Sequence, residues 1–299
     1  MSNERLTKCP LCKSGLFLNH AEVKDHSISK ESFLLCQCSN CNLIFTNPRP
    51  DIESINKYYE SEDYISHQNK SNNLTSILYK LVRKITIRRK VSLINRINPT
   101  KGKLLDLGCG TGYFLKNAIK HNWKVTGIEP NPIAREISLR KNIKVLESLE
   151  DLKKNKKFDV ITLFHVIEHI HDLRKTGKIL VKHLKDFGSM IIAIPNQKSY
   201  DANYYSTDWA GYDVPRHLYH FDKSSIEKFA EEIGMRIEEI RPMKFDSYYV
   251  SLLSEKYKNP NDNPIKHLLK GFKRGYLSNK WAKSHENNYS SLLFVLKKK

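Results

Sequence analysis

Four cysteines near the start of the chain are spaced as metal ligands. They form two Cys-x-x-Cys pairs, Cys9 with Cys12 and Cys38 with Cys41, separated by 25 residues. Each pair can turn two thiolates towards one tetrahedral ion, so the spacing predicts a four-thiolate structural zinc site in a small zinc ribbon. Cys36 is an alternative ligand, although Cys38 fits the pair spacing better. Disulfide pairs or four buried free thiols are the other interpretations, and the disulfides are disfavoured because the first residues contain no secretory signal.

A glycine-rich run is suited to holding a ligand by its backbone. Asp106, Gly108, Gly110 and Gly112 lie between an apolar, strand-like run and a helix-like run. Glycines let a ligand approach the backbone closely, and the N-terminus of the following helix offers unpaired N–H groups. Glu129 comes 23 residues after Asp106, where a carboxylate can accept both hydroxyls of a ribose. We therefore predict an adenosine-containing ligand. A dinucleotide is the second choice, because the spacing is Gly-x-Gly-x-Gly rather than Gly-x-Gly-x-x-Gly.

Histidines and aromatic residues further along the chain could handle an acceptor and its proton. His217 is the first candidate for a general base, since histidine titrates near neutrality, and His169 is its rival. His165, Glu168 and His169 could alternatively ligate a divalent ion that acidifies a hydroxyl, or could only line a loop. Arg216 could hold an anionic acceptor or pair with Asp213. The predicted acceptor-binding residues are Tyr204, Tyr205, Trp209, Asp213 and Arg216.

The run Asp-Leu-Gly-Cys-Gly-Thr-Gly at 106–112 resembles motif I of the class I S-adenosylmethionine-dependent methyltransferases. The resemblance continues through Gly-Ile-Glu-Pro at 127–130, Phe-Asp-Val-Ile-Thr-Leu-Phe-His at 158–165 and Ile-Pro-Asn at 194–196. The cysteine pairs at the N-terminus, together with Pro-Arg-His-Leu at 215–218, are similar to a bacterial branch of that family with an N-terminal four-cysteine zinc ribbon. Members of this branch often modify small metabolites, sugars, lipids or quinone-like acceptors.

The resemblance implies S-adenosyl-L-methionine as the cofactor. By it, Asp106 and the three glycines would shape the methionine end, Glu129 would hold the ribose, and the turn at 148–149 would lie by the adenine. The implied cofactor-binding residues are Asp106, Gly108, Gly110, Gly112, Glu129, Ser148, Leu149, Phe164 and His165. Methyl transfer to a small-molecule, sugar, quinone-like or lipid-like acceptor, at oxygen, is the expected reaction. RNA or protein methylation, with the ribbon and basic segments holding a polyanion, is the alternative.

Strand-like and helix-like runs alternate after Pro99, which predicts an α/β fold with a doubly wound, mostly parallel, Rossmann-like sheet. A helix is expected to start at the capping box formed by Ser224 and Glu227. We expect a zinc ribbon at 1–48, a helical basic linker or lid at 49–99, and a catalytic domain at 100–299 with acceptor-side insertions at about 195–222 and 245–288.

The net charge of +19 is concentrated in two segments. Residues 64–105 contain ten Lys or Arg and no acid, and residues 242–299 contain twelve Lys or Arg and four acids. Nucleic acid, an anionic membrane surface or a phosphorylated substrate would fit this charge, as would a solvated surface. Within the first segment, apolar residues recur at helical spacing. They are Leu74, Ile77, Leu78, Leu81, Val82 and Ile85. Such a helix could lie on anionic lipid, but we favour docking on the neighbouring domain, and we do not favour a nucleic-acid partner.

Composition excludes a membrane-spanning bundle. Hydrophobic residues make up 39% of the 299 residues, and no run approaches the roughly 20 apolar residues that a spanning helix needs. Without a signal sequence, the cytoplasm is the expected compartment.

Overall fold

The computed structural model describes residues 3–59 and 74–299, and of residues 74–81 it describes only the helical backbone. The strands described are β1 (Asn3–Glu4), β2 (Phe17–Lys24), β3 (Ser32–Cys38), β4 (Ile44–Thr46), β5 (Arg49–Pro50), β6 (Lys103–Leu107), β7 (Lys124–Ile128), β8 (Val145–Leu146), β9 (Phe158–Phe164), β10 (Leu184–Pro195), β11 (Tyr219–His220), β12 (Met235–Pro242) and β13 (Ser291–Lys298). The α-helices described are α1 (Leu74–Ile97), α2 (Tyr113–Ile119), α3 (Pro132–Leu139), α4 (Leu173–His183), α5 (Tyr200–Tyr205), α6 (Lys223–Glu232), α7 (Asp246–Lys258) and α8 (Pro264–Ala282). Short 3-10 turns cover Ile55–Tyr58, Ile167–His169 and Ser206–Asp208.

Seven strands form the central sheet, in the order β12-β13-β10-β9-β6-β7-β8. Strands β6 to β10 pair in parallel, and β13 runs antiparallel between β10 and β12. The residues of β10 from Met190 to Ile194 are fully buried, as expected for an interior strand that is covered on both faces. The predicted fold class, a doubly wound and mostly parallel α/β sheet, is confirmed.

The sheet order places a crevice between two strand ends. From β6 the chain winds one way through β7 to β8, and the other way through β9 to β10. The winding direction therefore reverses between β6 and β9, and ligands of open α/β sheets bind outside the carboxyl ends of strands at such a reversal. The glycine run follows β6, and His165 follows β9. Both predicted groups of site residues thus emerge at the same edge.

Helix α1 docks on the sheet, but mainly through residues other than those predicted. Val91, Leu93 and Ile94 are buried in one cluster with residues of β6, β9 and β10. Of the predicted stripe, Val82 and Ile85 are half-buried. The structure does not describe the side chains of Leu74, Ile77, Leu78 and Leu81. It also does not describe residues 60–73, which include Tyr64. The predicted docking is therefore observed in the C-terminal half of the helix.

A four-stranded antiparallel sheet, in the order β11-β4-β3-β2, joins the cysteine-rich region to the segment that follows β10. Tyr219 pairs with Phe45 and His220 with Ile44, although these strands are far apart in the chain. The buried residues of this sheet belong to the same cluster as one face of the central sheet. Strands β1 to β5 form what we call the N-terminal unit. Pairing of β1 with β5 extends this unit to Pro50, two residues past the predicted end at residue 48.

One predicted helix start is wrong by two residues. Helix α6 is capped by Asp222 rather than by Ser224, because the Asp222 carboxylate accepts from the Ser225 N–H at 2.9 Å. The Ser225 hydroxyl accepts in return from the Asp222 N–H at 2.8 Å, so Ser225 takes the place predicted for Glu227 in the capping box. Among the described residues, no helix combines the length and the apolarity that crossing a bilayer requires.

Candidate active site

The loop after β6 forms a cradle of backbone groups. Gly108 and Gly110 have φ values of +68° and +54°, a region that glycine enters without steric cost. A Cβ on Gly108 would lie 2.5 Å from Val166, whereas one on Gly110 would meet no atom within 4 Å. Gly110 therefore faces open space at the crevice. Asp106 lies beneath the loop, where it accepts a hydrogen bond from Thr162 at 2.6 Å, and burial raises the pKa of Asp106 to about 7.

Glu129, at the end of β7, closes one side of this cradle. One carboxylate oxygen accepts from the Gly110 N–H at 2.7 Å, and the other accepts from the Asn131 N–H at 2.9 Å. Burial raises the pKa of Glu129 against the effect of these two hydrogen bonds. Each carboxylate oxygen has two lone pairs, so one acceptor direction on each remains for a ribose hydroxyl. The residues present therefore fit the adenosine moiety that the sequence predicts.

The remaining predicted cofactor-binding residues lie at the same edge of the sheet. The Glu129 N–H donates to Leu146 O at 3.0 Å, which brings the following turn, with Ser148 and Leu149, next to the cradle. Phe164 ends β9, and its ring packs edge-to-face on Phe114 with the centroids 5.1 Å apart.

A buried carboxylate and two histidines form a cluster just beyond the end of β9. Glu168 is 0% exposed, and neither of its oxygens has a hydrogen-bond partner among the described residues. Glu168, His169 and His217 each offer one ligand atom within 4.8 Å of the others. Nε2 of His217 lies 4.0 Å from Glu168 Oε1, while Nδ1 lies 2.9 Å from Gly211 O. The carbonyl fixes Nδ1 as the donor, so Nε2 of neutral His217 carries the free lone pair.

His169 is set differently from His217. Its Nδ1 lies 3.0 Å from Arg216 O and 2.9 Å from the hydroxyl of Tyr59. Burial, together with the neighbouring His217, lowers the pKa of His169 to about 4. A group with so low a pKa is a weak proton acceptor at neutral pH.

The four predicted metal ligands of the N-terminal unit come together. The Sγ atoms of Cys9 and Cys41 are 3.6 Å apart, and those of Cys12 and Cys38 are 3.5 Å apart, with no disulfide. Four thiolates around zinc at about 2.3 Å place their sulfurs roughly 3.8 Å apart, so this cluster suggests a small zinc site. Cys36 points away from it, towards Asn19 and Asn47, which removes the alternative ligand.

Comparison with known proteins decides the family. Residues 82–240, just over half of the chain, match the family model described as "Methyltransferase domain". The chain belongs to this family. It is an S-adenosylmethionine-dependent methyltransferase, and the resemblance predicted from the glycine run is confirmed at that level.

The chain is similar to several proteins named "Ubiquinone biosynthesis O-methyltransferase". The one from Rickettsia canadensis (strain McKiel) is 27% identical over 161 residues, which is 49% of this chain and 68% of that protein. The one from Pelagibacter ubique (strain HTCC1062) is 27% identical over 184 residues, which is 57% of this chain and 75% of that protein. The matched region thus spans about two thirds to three quarters of these relatives.

Solved structures of other proteins share the fold. A magnesium protoporphyrin IX methyltransferase from Synechocystis PCC 6803 with bound S-adenosylhomocysteine aligns with a TM-score of 0.55 at 13% identity, covering 83% of this chain and all of that one. The cyclopropane synthase MmaA2 from Mycobacterium tuberculosis aligns with a TM-score of 0.51 at 16% identity, covering 81% of this chain and 95% of that one. At this identity the likeness shows the fold alone.

In this methyltransferase, two of the predicted acceptor-binding residues, Arg216 and Asp213, form an ion pair with each other. Arg216 is only 4% exposed, and its guanidinium donates to Asp213 at 2.6 and 3.0 Å and to Asp25 at 3.2 Å. It also donates to Tyr58 O at 3.1 Å. Of the two roles that the sequence left open for Arg216, the structure favours ion pairing with Asp213. Because Asp25 belongs to the N-terminal unit, this pairing links that unit to the segment that carries His217.

The predicted aromatic residues are mostly interior. Tyr205 and Trp209 are nearly inaccessible, and their polar atoms donate to Glu255 and Asp201 at 2.9 Å each. Tyr204 is half-buried, with the Arg274 guanidinium 3.8 Å from its ring centroid. These contacts attach the segment after β10 to helices α7 and α8. Tyr205 and Trp209 are therefore part of the interior of this segment rather than of its surface.

Two residues of the site were not predicted. Lys90 of α1 lies with Nζ 3.8 Å from the Phe164 ring centroid, and burial lowers the pKa of Lys90 although Asp246 and Asp106 attract its charge. Asp246 of α7 lies 3.2 Å from Nε2 of His165. Burial opposes protonation of His165, but Asp246 and Glu168 outweigh it and raise the pKa of His165 to about 9. Nothing in the local sequence pattern marks Asp246, whereas Lys90 lies within the predicted basic helix.

Proposed function

We propose that this methyltransferase transfers a methyl group from S-adenosylmethionine to a hydroxyl oxygen of a small acceptor. The observation that carries the proposal is the position of His217, with its free Nε2 beside the buried carboxylate of Glu168. Glu168 follows the end of β9, and a Cβ on Gly108 of the glycine run would lie 2.5 Å from Val166, two residues before Glu168. The relatives named as O-methyltransferases support oxygen as the attacked atom.

The proposed reaction requires the chain to align the two reactants and to remove one proton from the acceptor. S-adenosylmethionine, when bound, supplies an electrophilic methyl group. Asp106, Glu129 and the backbone of the glycine run would hold it. Holding both reactants in line can supply about 7–11 kcal/mol of the barrier reduction. His217 would take the proton of the acceptor hydroxyl at Nε2, and Glu168 would stabilise the imidazolium that forms.

We further propose that zinc, held by Cys9, Cys12, Cys38 and Cys41, has a structural role in this reaction. The ribbon strand β4 pairs with β11, which directly follows His217 and Leu218. Leu218 also connects the two regions, because its N–H donates to Glu168 O at 2.8 Å and its carbonyl accepts from the Thr46 N–H at 3.0 Å. A folded ribbon would therefore set the distance between His217 and Glu168.

A divalent cation at Glu168, His169 and His217 is the second use that this cluster could have. The observation that favours it is that the three residues offer ligand atoms within 4.8 Å of one another, while the nearest cation of Glu168 is the His165 imidazole, with Nδ1 3.6 Å from Oε1. The two hypotheses predict opposite effects of chelation. When zinc is restored after dialysis against EDTA, activity returns in full if His217 acts as a base, whereas a cation-dependent enzyme stays inactive until Mg²⁺ or Mn²⁺ is added.

The experiment is a transfer assay with labelled S-adenosylmethionine on small hydroxylated probes (phenol, catechol and methyl glucoside), run beside bulk RNA and histone. We expect label in a small hydroxylated probe. The variant His217→Gln should lower kcat by about 100- to 10,000-fold and leave the Kd of the cofactor unchanged. His183→Gln is the matched control, since His183 is also buried and has its Nδ1 2.8 Å from a backbone carbonyl, but belongs to α4.

Two results would overturn the proposal. Label in RNA or histone but in none of the hydroxylated probes would favour the macromolecular alternative. Equal loss of activity in His217→Gln and His183→Gln would show that the effect of His217 is a general effect on stability.

A further inference from the structure

Helix α8 presents an exposed apolar stripe on a basic helix. Ile265, Leu269, Phe272 and Tyr276 are 69%, 66%, 59% and 57% exposed. They follow one another at intervals of four, three and four residues, so they lie on one face of the helix. Large apolar side chains that are exposed singly are ordinary, but a continuous row on one helix face indicates a contact surface.

The opposite face of α8 packs on α7, so the helix cannot rotate to bury the stripe. Gly271 and Gly275 pack so closely on α7 that an added Cβ would lie 2.7 Å from the Cα atoms of Leu252 and Tyr248. Ser278 is fully buried, and its hydroxyl donates to Asp201 at 2.7 Å. The orientation of the stripe is therefore set by backbone contacts.

Positive charge runs along one flank of the stripe. Lys266, Lys273 and Lys280 recur every seven residues, which keeps them on one side of the helix. From 263 to 285 the chain contains six Lys or Arg and no acid. Asp262, just before the helix, pairs with Lys266 and Lys270, and so neutralises only the N-terminal end of this row.

We propose that this face of α8 binds an anionic lipid surface, with the stripe inserted at the headgroup boundary and the lysines on the lipid phosphates. An amphipathic helix with a basic polar face and Phe, Leu or Ile on the other face has the composition of an interfacial helix. Lysines near an anionic bilayer add attraction that a neutral bilayer does not provide.

Charge also decides against a second copy of the chain as the occupant. Two copies packed through this face would bring together two segments that each carry six Lys or Arg and no acid from 263 to 285, at a cost from like-charge repulsion. A polyanion such as RNA would use the lysines but leave the apolar stripe in water. The lipid surface is the partner that uses both features.

The proposal also has a geometric consequence for the acceptor side. Arg274 of the same helix contacts Tyr204 and Tyr200 of α5, which directly follows β10. Because Arg274 lies on the side of α8 away from the stripe, a bound membrane would lie one helix away from the segment that leads to His217. This placement suits an acceptor that partitions into lipid, but binding to the lipid surface does not depend on the identity of the acceptor.

The test is co-sedimentation of the full-length protein with vesicles of phosphatidylcholine alone or mixed with phosphatidylglycerol. We expect binding to the mixed vesicles, weaker binding as salt is raised, and far weaker binding to phosphatidylcholine alone. The double variant Leu269→Gln/Phe272→Gln and the double variant Lys273→Gln/Lys280→Gln should each weaken binding to the mixed vesicles by about tenfold or more. Phe187→Gln is the control, because Phe187 is 95% exposed but lies at the other end of β10.

Three outcomes would overturn the proposal. The first is no binding to the mixed vesicles, and the second is equal binding by the wild type and the Leu269→Gln/Phe272→Gln variant. The third is a wild-type dimer in light scattering that this variant makes monomeric, because the stripe would then be a contact between copies. Thermal melting of each variant checks that it is folded.

Discussion

The two sides of the site are built from the chain in different ways. On the cofactor side, Gly110 and Glu129 are bonded across a sequence separation of only 19 residues. On the proposed acceptor side, Arg216 and Asp25 are hydrogen-bonded across 191 residues, and Asp25 belongs to the N-terminal unit. The cofactor side is therefore one strand-loop-helix unit with its neighbour, whereas the acceptor side exists only when distant parts of the chain have assembled.

This difference has a functional consequence. Damage to the N-terminal unit should disturb His217 and leave the glycine cradle intact, because the cradle makes its contacts within the central sheet. Damage to the cradle should weaken cofactor binding and leave the ion pairs of Arg216 intact. Variants in the two regions can therefore show whether the cofactor side and the proposed acceptor side function independently.

The largest effect is expected from removal of a zinc ligand. Structural zinc contributes about 10–16 kcal/mol of apparent folding free energy at neutral pH, so Cys9→Ser or Cys38→Ser should unfold the ribbon and release the metal. We expect methyl transfer to be lost while binding of S-adenosylhomocysteine changes by less than about tenfold. Metal analysis and calorimetry measure the two effects. Cys36→Ser is the control and should retain one zinc per chain. Equal loss of cofactor binding in Cys9→Ser would show that the two sides are not independent.

The next effect comes from the buried ion pair that ties the two units together. Arg216→Gln leaves Asp25, which is 1% exposed, without its charged partner. Removing one partner of a buried pair costs about 3–5 kcal/mol. Urea unfolding should show this loss. Arg236→Gln is the exposed control, since its pair with Glu238 lies at the surface and is worth about 0–1 kcal/mol. Similar losses in both variants would mean that Arg216 does not link the units.

The cofactor side is tested by Glu129→Ala. Loss of charge-assisted hydrogen bonds to a ribose costs about 1.5–3 kcal/mol each, so cofactor binding should weaken by at least roughly tenfold. Calorimetry with S-adenosylhomocysteine measures the change. Glu147→Ala is the matched control, because Glu147 is an exposed acid that pairs with Arg135 near the same edge. Unchanged affinity in Glu129→Ala would remove this residue from the cofactor site.

The same contrast explains what the sequence could and could not predict. The glycine run, Glu129 and the cysteine pairs are short patterns whose spacing reports geometry directly, and the sheet follows from the alternation of strands and helices. The pairing of β11 with β4 has no such signal, because strand pairing at long range depends on the whole fold. The sequence therefore leaves acceptor binding open as a role for Arg216, because it does not show that Asp25 lies against this side chain.

The sequence also does not show which aromatic side chains of the segment after β10 are buried. Tyr205 and Trp209 belong to a loop that composition marks as aromatic, and an aromatic loop can either bind a ligand or fill a core. Asp201 and Glu255 accept hydrogen bonds from the polar atoms of these two side chains, which lets them be buried without an unsatisfied group. Those acids lie on α5 and α7, so only the tertiary structure distinguishes the two roles.

The smallest effect concerns His165, which lies where the two sides meet. Its pKa is raised to about 9 from an ordinary value of 6.5, because Asp246 and Glu168 outweigh the effect of burial. A raised pKa means that the folded state binds the proton more tightly than the unfolded state. The stabilisation is therefore complete below about pH 6.5 and is lost as the pH rises through about 9. Since the side chain is 33% exposed, solvent screens the interaction and the change should be small.

This effect is measured by urea unfolding across that pH range in the wild type and in Asp246→Asn. Below about pH 6.5 the wild type should be the more stable, and the difference should shrink above about pH 9, where His165 is neutral in both proteins. In a His165→Gln background, Asp246→Asn should show no such pH dependence, because the proton that couples the two residues is absent. A difference that stays constant across the range would mean that Asp246 stabilises the fold through Lys90 or by packing. Asp246 would then belong to the cofactor side alone. No titrating group near His165 would connect the cofactor side with the proposed acceptor side.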